Sequence, residues 1–236
     1  MAIAHVVMVG DAAEREASRV HVAELLRDHH LASPDAQCNH VRMDVGPFRV
    51  RWELHTEFVS WTFTRAMAAE GFGDAEPVPA LHVVPKEWLA RLPGQCLVNL
   101  NLWLLPSKVF GSTSLVKHVL NEDTLVASTV ADGHGEVYTD FAIHADGSSR
   151  MVLLVGSMAP RRVGRLVQRL LEIDTYRMAA LLGLPAAREA ATELAFAERE
   201  LAALANAIRT ASRDDEPLLL DRLTKLAGQV ESQYAA

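Results

Sequence analysis

Cysteine is scarce. Cys38 and Cys96 are the only two in 236 residues, too few for a disulfide framework, so a reduced, cytoplasmic setting is the simpler expectation. No run of about 20 apolar residues occurs, which is what a membrane-crossing helix requires. The best candidate, CLVNLNLWLLP, is short and broken by Asn99 and Asn101. The opening MAIAHVVMVGD has no basic segment and soon turns acidic, which excludes a secretory signal. Basic charge is also short: 23 Lys and Arg against 30 Asp and Glu leave a net charge of −7. That is the wrong sign for broad nucleic-acid binding. There is no H-E-x-x-H, no Cys pair at metal spacing, no P-loop and no G-x-S-x-G. No cofactor, resident metal or catalytic residue is therefore expected.

The residues present describe an ordinary globular chain, 50% hydrophobic and 22% charged. Its length suits one well-buried domain with an extension, or two small domains. Residues 5–9 read as a buried strand, Gly10 and Asp11 as a turn, and 12–30 as a helix with acidic residues at its start and basic ones near its end. Period-two patterning follows. Phe48, Val50 and Trp52 alternate with Arg49, Arg51 and Glu53, and Val59, Trp61 and Phe63 alternate with Ser60, Thr62 and Thr64. Leu54 to Glu57 between them is either a hairpin connection or part of one continued strand. A turn-rich loop at 71–79, a short helix at 85–92 and an apolar strand at 96–105 come next, while 111–123 takes no clear form. Strands at 124–130, 136–143 and 150–155 are separated by the turn signals Asp132-Gly133 and Asp146-Gly147. The pattern predicts an α+β domain over 1–158, a mostly antiparallel sheet with one or two packed helices.

A C-terminal helical, coiled-coil-like extension is expected over 159–236. It opens with a helix at 160–182, where Pro160 suits a first helical position. Winding this helix puts Val163, Leu166, Val167, Leu170, Leu171 and Ile173, with Met178 and Leu181 further on, along one broad arc. Asp174 and Arg177 fall near the middle of that arc, three apart and able to meet. Charges aimed at a core need pairing. They are either a structural ion pair or, with Tyr176, part of a ligand or effector site. Gly183 and Pro185 punctuate, and a helix at 186–209 carries Leu194, Leu201 and Ile208 seven apart with Ala197 and Leu204 between them. A last helix at 217–234 has Leu219, Leu223, Leu226 and Val230 on one side. Two such helices can form a hairpin, but Ala at the seam supplies little buried area. Self-association into a homo-oligomer through these helices is expected.

The ten histidines yield one candidate constellation. Arg51, Glu53, His55 and Glu57 share a face if the strand stays extended. A His between two carboxylates can serve as a metal ligand or general base. The competing reading is a solvated sheet face with cross-strand charge pairs, and a turn at His55 would break the row. Asp140 and His144, with His134 nearby, form a weaker cluster, and Ser112 and Ser114 have no context that suggests a nucleophile.

Three segments, FRVRWELHTEFVSWTF, EVYTDFAIHADGSSR and APRRVGRLVQRLLEIDTYRMAALLGLP, resemble a bacterial family of uncharacterised membrane-anchored proteins, a domain of unknown function. The resemblance implies a cytoplasmic α+β domain, then helices, with the membrane reached only through a segment that this chain lacks. It implies either the soluble part of a longer protein or a shortened relative, and it supplies no catalytic residues. Three functions follow as expectations. One is a non-catalytic, self-associating sensing or scaffolding module. Another is a metal-dependent or acid/base enzyme using Glu53, His55 and Glu57. The third is a regulatory domain of an ion or small-molecule pathway, with Asp174 and Arg177 at an effector site.

Overall fold

The computed structural model describes residues 1–67, 77–107 and 112–234. Most of the turn-rich stretch expected at 71–79 lies outside these residues, as do the side chains of Ser112 and Ser114. The chain divides into two compact units, Met1–Met178 and Ala179–Ala236.

An eight-stranded sheet organises the first unit. Its strands are β1 (Ala2–Val9), β2 (His40–Asp44), β3 (Arg49–Leu54), β4 (Phe58–Arg65), β5 (Gln95–Pro106), β6 (Val126–Val130), β7 (Gly135–Thr139) and β8 (Ser149–Val155). The spatial order is β2-β3-β4-β1-β5-β8-β7-β6. Every pairing is antiparallel except β5 with β8. The α+β class and the mostly antiparallel sheet read from the sequence are thus observed. β1 lies centrally, and seven of its eight residues are buried, which explains its nearly continuous apolar run. Residues 55–57 form the connection of the β3–β4 hairpin. At 131–133 the β6–β7 turn places Ala131, Asp132 and Gly133 at positive φ, the conformation for which Asp-Gly is favoured.

One sheet face is covered by α1 (Ala12–Asp28), α2 (Lys86–Leu89) and α3 (Ser112–Val119). Asp11 and Glu14 make a reciprocal capping box at the start of α1, with bonds of 2.8 and 3.0 Å. The helix then buries Ser18, His21, Val22, Leu25 and Leu26, a spacing of three and four that defines a single stripe. Both polar members of the stripe are satisfied. Trp52 Nε1 donates to Ser18 Oγ at 3.1 Å, His21 Nε2 donates to the Trp88 carbonyl at 3.0 Å, and Trp88 Nε1 donates to the His21 carbonyl at 3.1 Å. Trp61 meets Trp88 edge-on at 5.3 Å, an arrangement worth about 1 kcal/mol beyond area burial.

The opposite face carries the first part of α4 (Pro160–Thr210). Val167, Leu170 and Leu171 pack on Ile3, Leu100 and Leu153 in a second apolar cluster. Ile173 and Leu181, expected on the apolar arc, are 58% and 45% exposed, because the stripe that meets the sheet is narrower than the arc and centres on 167, 170, 171, 174 and 175. The helix also runs through Gly183 and Pro185, where a break was expected. Proline removes one backbone donor, but this stretch is exposed, so the carbonyl left without a partner is open to water.

In the second unit, the rest of α4 packs against α5 (Glu216–Tyr234) through Ala197, Leu204 and Leu226, with Leu219 beside them. Arg222 and Glu200 add an ion pair at 3.2 Å. Among the described residues no helix is long and apolar enough to cross a membrane.

Candidate functional site

The sheet face under α4 is apolar where β1, β5 and β8 lie side by side, and it turns polar toward β4 and β3. Alternation dictates this. In register, His5 stands opposite Thr62, Thr62 opposite Arg51, and Ser60 opposite Glu53. Those residues occupy the side of each strand that Trp52, Trp61 and Phe63 do not. The result is a cleft of about 330 Å³ between this polar strip and α4.

His5 lies at the buried end of the cleft, 6% exposed. Its Nδ1 is 3.0 Å from Thr62 Oγ1 and its Nε2 is 3.1 Å from Thr175 Oγ1. Thr175 donates its own hydroxyl hydrogen to the Leu171 carbonyl at 2.9 Å, so toward His5 it accepts. That fixes the tautomer: Nε2 carries the hydrogen and Nδ1 accepts from Thr62. The imidazole is held neutral. Burial, assisted by the Arg51 guanidinium and the His55 ring, pushes its pKa down to about 4. With both nitrogens engaged, His5 fastens α4 to the sheet and has no free nitrogen to offer a ligand.

The open part of the cleft is more varied. Arg51 Nη2 donates to Glu53 Oε1 at 2.7 Å on the strand side. On the helix side Gln168 donates to Glu172 at 2.9 Å. At the hairpin end the His55 ring lies 4.5 Å from Phe58, and Phe58 meets Tyr176 edge-on at 6.2 Å and 78°. Ser60, buried beneath them, lies 3.4 Å from His55 Nε2, at the long limit of a hydrogen bond.

The structure brings Glu53, His55 and Tyr176 into this one cleft, together with His5, Arg51 and Thr175. Glu57 is exposed on the hairpin turn and does not line the cleft. Asp174 and Arg177 lie outside it as well. Asp174 is 4% exposed and takes Arg177 Nη2 at 2.8 Å and Nε at 3.2 Å on one oxygen. Its other oxygen, Oδ2, is buried without a hydrogen-bond partner among the described residues. The Arg177 guanidinium lies 4.9 Å from the centre of the Phe141 ring, a cation–π contact. Asp140 and His144 do meet, at 2.9 Å. The Asp140 carboxylate also accepts from the backbone of Asn121 and Ala142, so it shapes the loop before β8. Among the described residues no three His, Cys, Asp or Glu side chains are grouped to hold a metal ion.

His5 and Thr175 escaped the sequence reading. The available signal was a lone histidine inside the apolar run AIAHVVMV, which on a central strand must find two partners.

The second unit presents a different surface. Leu194, Leu201 and Ile208, seven apart on α4, are 54%, 52% and 56% exposed. Leu223 and Val230, seven apart on α5, are each 40% exposed. Leu194 and Val230 line the same groove, together with Ala190 and Ala197.

These features define a mixed-sheet α+β protein with a small polar cleft under its long helix and a C-terminal helical hairpin. A family model described as a protein of unknown function, DUF3422, matches residues 1–236, and the chain belongs to that family. No curated protein and no solved structure matches it.

Proposed function

We propose that the chain is a non-catalytic, self-associating sensing module. In this reading the hairpin joins copies and the sheet unit carries the ligand site. The observation that carries it is the stripe Leu194, Leu201 and Ile208, more than half exposed on a helix pair that buries little of its own. Its occupant is a second copy of this chain. α4 and α5 each carry a seven-residue apolar repeat, with Leu194 and Val230 in one groove, so a like hairpin presents the complementary spacing. Two hairpins together enclose a four-helix core, which two helices alone cannot do. The stripe carries no charge, so copies meet without like-charge repulsion. The cytoplasmic setting and attachment to a membrane belong to the same proposal and rest on the family resemblance.

Multi-angle light scattering on the intact chain tests the reading. A dimer or larger species is expected, converted to monomer by Leu201→Asp with Ile208→Asp while the helical circular dichroism signal stays unchanged. A strictly monomeric intact chain at high concentration overturns it.

A further inference from the structure

We infer that the cleft beneath α4 binds a small organic cation through an ammonium group. This gives the sensing half of the proposed function a ligand class, and it rests on the cleft rather than on the hairpin.

Charge gives the first argument. Arg51 is neutralised by Glu53 at 2.7 Å. Among the described residues Glu172 pairs with no cation, its contact being the neutral amide of Gln168. Of the other ionisable side chains that line the cleft, His5 is held neutral with both nitrogens engaged, while His55 and Tyr176 stand at its hairpin end. Among its carboxylates and its guanidinium the cleft therefore has one carboxylate in excess. The rings give the second argument. Phe58 and Tyr176 stand nearly perpendicular and make an aromatic corner beside that carboxylate. Tyr176 is 64% exposed, an aromatic side chain that lines the cleft and is open to solvent. An aromatic face next to a carboxylate is the chemistry that selects an alkylammonium or quaternary ammonium group. A bare divalent cation is a poorer match, because the carboxylates do not converge with other donors. The volume of about 330 Å³ is at the small end for ligand sites. A compact amine of a few carbons fits it, and a nucleotide does not.

Saturation-transfer difference NMR on the intact chain tests this with putrescine and tetramethylammonium chloride, against methylphosphonate and 4-aminobutyrate. The expected result is saturable transfer to both cations, weakened by added salt and absent for methylphosphonate. Glu172→Gln and Tyr176→Ala should each weaken binding by about fivefold, the upper scale of an exposed ion pair and of an exposed cation–π contact respectively. Both side chains are exposed, and unchanged tryptophan fluorescence confirms folding. Absence of saturable transfer, tighter binding of methylphosphonate or 4-aminobutyrate, or undiminished binding in both variants would each overturn the inference. The Leu201→Asp, Ile208→Asp variant separates the proposals. Cation binding by a monomeric chain upholds the cleft whatever becomes of self-association.

Discussion

The two units spend similar apolar residues differently. In the sheet unit Trp52, Trp61, Trp103 and Phe63 are all under 2% exposed, and the polar atoms of its main helix stripe are bonded. In the helical unit Ala197, Leu204 and Leu226 are buried, while Leu194, Phe196, Leu201, Ile208, Leu218 and Leu220 are all more than half exposed. A sheet with helices on both faces encloses its core within one chain. A pair of helices has only the seam between them, so most of its leucines have nowhere to go. One unit encloses its own core, and in the proposed reading the other is half of an assembly.

The comparison breaks most readily on the effect of a single large truncation. Trp61→Ala should cost the sheet unit about 3–5 kcal/mol, the usual range for a buried aromatic. Leu201→Ala should change the stability of dilute monomer by no more than about 0.5 kcal/mol, yet weaken association. The four tryptophans, Trp52, Trp61, Trp88 and Trp103, all lie in the sheet unit, so fluorescence in denaturant reports that unit alone and circular dichroism follows the helices. Equal losses for the two variants at low concentration would mean that the hairpin has a closed core after all.

Much of the sheet was legible because alternation is local. Phe48 to Thr64 announces two half-buried strands, and the Asp-Gly pairs mark real turns. The helix α3 was not legible, being eight residues long and followed at once by irregular chain. Neither was the passage through Pro185, since propensity forbids what an exposed stretch tolerates. The seam residues Leu194 and Ala197 were read together, but only a partner helix decides which of two neighbouring stripes is covered, and here Ala197 is. The cleft was half legible. Glu53 and His55 stood out as neighbours on one strand face, whereas Tyr176 joins them only because α4 crosses β4. That is a long-range contact with no local signature.

A second test sharpens what holds α4 on the sheet unit. Histidine ordinarily titrates near 6.5, and burial lowers His5 to about 4. Above pH 6.5 both the folded and unfolded forms carry a neutral ring, and its contribution to stability is fully present. As the pH falls below 6.5 the unfolded chain takes up a proton that the folded chain refuses, and stability is lost until the pH passes 4. Between pH 7 and 5 this removes about 2 kcal/mol. His21, also lowered by burial, acts with the same sign. His5→Gln keeps a donor toward Thr175 without a titrating ring, so its loss of stability over that interval should be smaller than the parent's by about 2 kcal/mol. Identical pH profiles for parent and variant would mean that His5 is not buried as neutral imidazole.

The last effect concerns Asp174 and Arg177, and it is an asymmetry. Removing one member of a buried ion pair is costly because the other charge is left uncompensated, but the two partners here are not equally buried. The side chain of Asp174 is 5% exposed and that of Arg177 is 27% exposed. Arg177→Ala strands a carboxylate whose Oδ2 already lacks a partner, at a cost of about 3 kcal/mol. Asp174→Ala leaves a guanidinium that still meets solvent and the Phe141 ring at 4.9 Å, and it removes the unpartnered oxygen. Its cost should be about 1 kcal/mol, the net worth of an ordinary hydrogen bond. Asp174→Leu with Arg177→Met leaves no charge behind and should cost no more than Asp174→Ala. Fluorescence-monitored unfolding of the three variants orders them. If Asp174→Ala is the most damaging, the carboxylate is doing more than pairing with Arg177, and the orphaned Oδ2 has a partner in solution.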